Sequence, residues 1–358
     1  LEAKADLKIK DNDGETVLMH AIENKQNNIG EIIKLLVDAG ADLNMKKEKN
    51  GDTLLMDAIK SEKMICLFNL INAGVNVNFT NEFGDTPLTH VIQLGGNNTV
   101  NIIKILLDAG SDINKQHYFG ETTLMLATHR ECEYTITMFR LLLDKGANVN
   151  MQDEYGETAL IYAIRRDGKQ SVEMMKLLIN KGADVNKRNK NGDTALMLVA
   201  RYGGMHAVAI IGALIKAKAD VNKQSVHGDT ALMYTVDPRL MYTVDTFFED
   251  EHTVDTFFEN EHRVEIIKIL LDAKADVNKE DYSGQTALMS ATRYKGKQAT
   301  EIIEMLLKAR ANVDKQDLNG MTELMNATRY GGEHAVEMMR LLLDAGADVD
   351  KQDWHGQT

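Results

Sequence analysis

Apolar residues recur along this chain in two alternating blocks. A short block such as ALIYAI, from Ala159 to Ile164, gives way to a polar, glycine-containing stretch, RRDGKQS. A longer block follows in which Val172, Met175, Leu178 and Ile179 fall at helical spacing, so two antiparallel helices, A and B, are predicted for each pair of blocks. The threonine ahead of the short block, Thr158, is placed to cap helix A by accepting a first-turn N–H on its hydroxyl. The unit closes on a Gly-Ala-Asp-Val-Asn run, where Gly182 is expected to take the left-handed conformation that ends a helix.

The pattern repeats. A Gly-x-Thr tripeptide begins at Gly14, Gly51, Gly84, Gly120, Gly156, Gly192, Gly228, Gly284, Gly320 and Gly356, with successive steps of 37, 33, 36, 36, 36, 36, 56, 36 and 36 residues. Residues 1–358 therefore read as a single array of nine full periods with partial units at both ends, an all-α repeat solenoid. Both ends fall inside a unit, which points to a longer array with flanking sequence. The 56-residue step carries an acidic and aromatic insertion over 238–262. It is self-duplicated, with TVDTFFEDEH at Thr243 and TVDTFFENEH at Thr253, as slippage in replication would leave it. Lying between helices A and B, it is expected to protrude from the edge away from the turns. Its Glu249/His252 and Glu259/His262 pairs have a spacing used by di-metal bundles, but sit in a solvated acidic run, so no metal site is expected.

Composition narrows the classes. With 44% hydrophobic and 27% charged residues the chain can bury a core, and its longest apolar runs fall far short of the roughly 20 residues of a membrane span. A net charge of −13 disfavours nucleic acid and anionic membrane as partners. Two cysteines, Cys66 and Cys132, stand about two units apart, which suits packing residues in a reducing, cytoplasmic compartment. Phosphate loops, nucleophile elbows and zinc spacings are missing from the sequence, so neither catalysis, nor a cofactor, nor a small-molecule substrate is expected.

Thr86-Pro87-Leu88-Thr89, and more loosely the T-A-L-M runs at Thr194, Thr230 and Thr286, resemble the ankyrin signature T-P-L-H-x-A, and the likeness covers essentially the whole chain. The resemblance implies helix-turn-helix units joined by hairpin-like turns, curved so that a concave face holds another protein. Such arrays also serve as the targeting arm of larger enzymes or toxins and in bacterial effectors that act inside a host cell, which is the alternative reading. Two departures stand out. Met19, Met56, Met125, Met197, Met233, Met289 and Met325 occupy the histidine position, where a thioether is expected only to pack. Lys4, Lys218, Lys274 and Arg310 replace the helix-ending glycine, so those units should be softer and unfolding less cooperative.

Carrying the family's recognition positions across singles out the turn tips and the ends of helix A. The tips bring Tyr118, Phe119, Tyr155, Tyr282 and Trp354; the helix ends bring Arg130, Arg165, Arg166, Arg201, Tyr202, Arg293, Tyr294, Arg329 and Tyr330. The residue inside Gly-x-Thr is acidic from Glu15 to Asp229 and then becomes Gln285, Met321 and Gln357. A groove negative at its start and positive at its end is expected, with an acidic partner segment held at Arg293 and Arg329; the alternative is that each Arg pairs with the neighbouring Asp or Glu as a surface ion pair.

Overall fold

The computed structural model describes residues 6–12, 14–23, 28–48, 51–165, 170–236, 262–294 and 298–358. Among these residues eighteen α-helices alternate in the predicted order. The A helices are α1 (Val17–Glu23), α3 (Leu54–Lys60), α5 (Pro87–Leu94), α7 (Thr123–Thr128), α9 (Ala159–Arg165), α11 (Ala195–Tyr202), α13 (Ala231–Val236), α15 (Ala287–Arg293) and α17 (Glu323–Tyr330). The B helices are α2 (Ile29–Asp38), α4 (Met64–Asn72), α6 (Thr99–Asp108), α8 (Thr135–Asp144), α10 (Ser171–Asn180), α12 (Ala207–Lys216), α14 (Arg263–Asp272), α16 (Ala299–Lys308) and α18 (Ala335–Asp344). Strand character among the described residues is limited to isolated bridges at the turns, such as Gln116 with Thr122. The chain divides into two compact units, Leu1–Tyr162 and Ala163–Thr358. The 238–262 insertion lies outside the described residues except for His262, whose Nδ1 pairs with Glu265 at 3.5 Å.

Each A helix is started by its threonine. In all nine, the Thr hydroxyl accepts the N–H three residues on at 3.2–3.4 Å, as Thr194 does from Met197 and Thr322 from Met325. The methionines do more than fill space, which corrects the expectation. The sulfurs of Met19, Met125, Met197, Met233 and Met325 accept the N–H of their own cap threonine at 3.3–3.5 Å. A thioether thus completes a reciprocal cap that Glu or Gln usually closes.

The B helices supply the core. Leu106, Leu142, Leu178, Leu214, Leu270, Leu306 and Leu342, the first leucine of each pair or its equivalent, are fully buried. In α10 the inward face is Ser171, Met174, Met175 and Leu178, while Val172 and Ile179 are half-buried. The buried face is rotated from the expected one toward Ser171 and Met174. Helix ends then turn through positive φ, at +84° for Gly182, which lets Ala183 N–H reach the Leu178 carbonyl at 3.0 Å. Lys218, Lys274 and Arg310 hold the same turn at φ +66° to +68°; Lys4 lies outside the described residues. Because the left-handed region costs a side-chain-bearing residue about 1 kcal/mol, Lys218→Gly, Lys274→Gly and Arg310→Gly are each expected to raise stability by about that much. Urea unfolding followed by circular dichroism checks this, and an unchanged midpoint contradicts it.

Two side-chain ladders join neighbouring repeats. The asparagine that ends one repeat reaches the next: Asn222 Oδ1 accepts the Asp276 N–H at 2.7 Å while its amide donates to the Lys274 carbonyl at 3.2 Å. Asn78, Asn186 and Asn278 do the same. At the turns, Gln116, Gln224 and Gln316 each bridge their own glycine carbonyl and a carbonyl of the following turn. The turn glycine is required by geometry: Gly228 has φ +87°, and a Cβ there would sit 2.7 Å from the Tyr282 nitrogen of the next tip.

Candidate protein-binding face

The residue inside Gly-x-Thr sits beside the end of its own helix A, eight positions on. Gln93 donates to Asp85 Oδ1 at 3.0 Å, and Arg201 Nη1 lies 3.7 Å from Asp193 Oδ2. A tyrosine from the following repeat closes on the same carboxylate. Tyr162 Oη is 2.7 Å from Glu121 Oε1 and 2.7 Å from Asp153 Oδ2, and Tyr234 donates to Asp193 Oδ1 at 3.2 Å. Burial and the adjacent carboxylates push both tyrosine hydroxyls far above their ordinary range. Burial alone would raise Glu121, but bonds from His117 and Tyr162 outweigh it and hold its carboxyl below the usual value.

These contacts revise the expected electrostatics. Asp52, Asp85, Glu157, Asp193 and Asp229 are buried, so the acids at the start of the array join internal networks and do not form an open negative row. Asp229 is held above the usual carboxylate range, first by burial and then by Asp281.

The tip aromatics stand where the sequence put them, in solvent. Tyr118 is 70% exposed, Tyr282 71% and Trp354 76%; Phe119 and Tyr155 are also exposed. Tyr118 and Phe119 meet edge to face with centroids 5.0 Å apart. Several tips are tied to the tip before them by a backbone bond, among them Glu154 N–H to Phe119 O at 3.1 Å and Tyr282 N–H to His227 O at 2.9 Å. An exposed ring is thus carried on a fixed backbone.

The helix-end ladder divides. Arg201 is a correction: it is 8% exposed, paired with Asp193 and lying over the Tyr234 ring at 5.2 Å, so it serves the interior. Removing one partner of such a buried pair costs about 3–5 kcal/mol, so Arg201→Glu is a stability variant and not a surface probe. Tyr202 is half-buried beneath the same guanidinium at 5.7 Å, and Tyr294 is half-buried under Arg263 at 4.8 Å. Arg130 is half-buried, Arg165 exposed, and Arg166 lies outside the described residues. Arg329 and Tyr330 are exposed side by side, with the guanidinium 5.5 Å from the ring centroid.

Arg293 and Arg329 differ from Arg201 in what they meet. Arg293 Nη2 donates to the neutral Gln285 Oε1 at 2.6 Å, and Arg329 belongs to the unit in which Met321 fills that place. Among the described residues neither guanidinium has a carboxylate within ion-pair distance. Both line an open recess of about 510 Å³ together with Gln285, Met321, Asn326 and Tyr330. Asn326 was not singled out in the sequence; the only signal was that it stands where other repeats carry Tyr162 or Tyr234.

Further described features bear on what the chain does. No helix among the described residues is long and apolar enough to cross a membrane. Both cysteines are free thiols, Cys66 buried and Cys132 half-buried.

The family model for ankyrin repeats (3 copies) matches residues 1–81, 55–153, 96–189, 167–255 and 256–353. A fowlpox virus (strain NVSL) protein named as an ankyrin repeat protein is 35% identical over 80 residues, 22% of this chain and 23% of that relative, so the chain spans about a quarter of its length. Among solved structures, the ankyrin repeat domain of Bcl-3, a member of the IkappaB protein family, superposes with a TM-score of 0.54 at 25% identity. It covers 62% of this chain and 95% of its own.

Proposed function

Because this chain belongs to the ankyrin repeat family, whose members are generally protein-interaction modules, we propose that it is a non-catalytic array that binds another protein along its turn tips and helix A ends. The observation that carries the reading is the contrast at those positions. Their backbone is fixed by tip-to-tip hydrogen bonds, yet Tyr118, Tyr155, Tyr282 and Trp354 stand in solvent. Large rings held rigid and exposed are what interface hot spots are made of, because little conformational entropy is lost when they are covered. The partner presents an acidic segment to the later repeats, where Arg293 bonds the neutral Gln285 and Arg329 stands exposed beside Tyr330.

The test compares the immobilised chain with two variants for proteins captured from lysate. One carries Tyr118→Ser, Tyr282→Ser and Trp354→Ser; the other carries Arg329→Glu. A protein held by the parent and lost at least tenfold from the tip variant is expected. Equal capture by parent and tip variant would sink the reading.

A further inference from the structure

Two residues that line the recess, Arg293 and Asn326, each carry a buried side-chain donor without an acceptor. Two units earlier the equivalent site has a carboxylate of its own: Asp193 receives the Arg201 guanidinium and the Tyr234 hydroxyl. The matching residues here are Gln285, Arg293 and Asn326, so a neutral amide has taken the place of the carboxylate. Asn326 Nδ2, in the place of the Tyr234 hydroxyl, is buried and meets no acceptor, and Asn326 is only 2% exposed; Arg293 Nε is also buried without an acceptor. Buried donors of this kind are normally satisfied, and leaving one unpaired costs free energy.

Of the two carboxylates that line the recess, Asp317 is held through both oxygens and Asp353 through one. Asp317 Oδ1 accepts the Asn319 and Met321 N–H groups, and its Oδ2 accepts the Gln285 amide at 2.6 Å. Asp353 Oδ1 accepts the His355 and Gln357 N–H groups. Arg329, one repeat further, opens on the same space and, among the described residues, has no carboxylate within ion-pair distance.

We propose that this recess is a carboxylate-binding subsite, in which a Glu or Asp side chain of an acidic partner peptide takes the place that Asp193 fills internally. The ligand oxygens accept from Arg293 Nε and Asn326 Nδ2, and Arg329 closes over them with the exposed Tyr330 beside it. The inference rests on the protein-binding reading but concerns one pocket of it, and it names the chemistry that the partner must bring.

The probe is a fluorescein-labelled, amidated hexaglutamate peptide titrated with the full chain and followed by anisotropy at 150 mM salt. Hexaglutamine and a (Gly-Ser)₃ peptide with a free C-terminal carboxyl serve as comparisons. Hexaglutamate is expected to bind and the other two are not. Asn326→Leu places a residue found at the equivalent Leu126 and Leu198, and should weaken binding at least fivefold. Gln285→Glu restores an internal carboxylate beside Arg293, and should weaken binding at least tenfold while the helical signal is kept. In the parent, hexaglutamate should also shift the ¹⁵N side-chain signals of Asn326 and Arg293. No binding, equal binding to all variants, or preference for the free C-terminus overturns the subsite. If tip-dependent capture persists in that case, only the carboxylate assignment falls, and the protein-binding reading stands.

Discussion

Replacing Glu323 by alanine is expected to stabilise the later repeats and to remove much of the stability loss they show as the pH rises toward neutrality. Glu323 opens α17 at the place where other repeats carry Ala159, Ala195, Ala231 or Ala287, and it is fully buried. One oxygen accepts from the Thr286 hydroxyl at 3.4 Å, and the other meets no donor. Burial pushes its carboxyl up to about 8, well above the ordinary 4.5, with Asp314 adding to the rise and the Thr286 bond and Lys351 opposing it. The sign follows from linkage. A group whose folded pKa is raised contributes stability that is intact below the unfolded value and is lost as pH rises toward the folded one. Stability should therefore decline between pH 4.5 and about 8, by about 3 kcal/mol at neutral pH on the scale of 1.36 kcal/mol per unit. Trp354 is the single tryptophan, so its fluorescence during urea unfolding reports on this end of the chain without ambiguity. The parent midpoint should fall from pH 5 to pH 9 while that of Glu323→Ala stays nearly level and higher. Parallel pH profiles would show that Glu323 is ionised or solvated in the fold.

The second large effect belongs to Tyr162→Phe, with the opposite sign. Tyr162 Oη stands 2.7 Å from a carboxylate oxygen of Glu121 and 2.7 Å from one of Asp153. Its hydroxyl mediates between two acids that would otherwise face each other in a half-buried site. Phenylalanine keeps the ring and removes the donor. The loss of a charge-assisted bond, with the acids left to repel, should cost about 2–3 kcal/mol. Thermal unfolding of the full chain should show an earlier transition, and lowering the pH to protonate the acids should narrow the gap to the parent. A melt indistinguishable from the parent at neutral pH would mean that water replaces the hydroxyl at no cost.

Arg201 and Arg293 show how far a sequence reading of the binding face carries. Both are helix-end arginines at the same repeat position, and both belong to one predicted ladder. One is paired with Asp193 and buried over the Tyr234 ring; the other faces Gln285 and an open recess. The loss of the acid inside Gly-x-Thr was readable along the chain. That this acid is the internal partner of the arginine eight residues on was not, because the pairing depends on how a turn folds back over the helix it starts.

The helical order, the capping threonines, the left-handed helix ends and the leucine core follow from local rules of backbone sterics and periodicity, which act within one repeat and so are written in the sequence. The asparagine and glutamine ladders, the buried Glu323 and the unpaired donors of Arg293 and Asn326 are decided between repeats. Such contacts depend on the register of one unit against the next, where a displacement of an ångström or two makes or breaks a hydrogen bond. Only the stacked structure sets that distance.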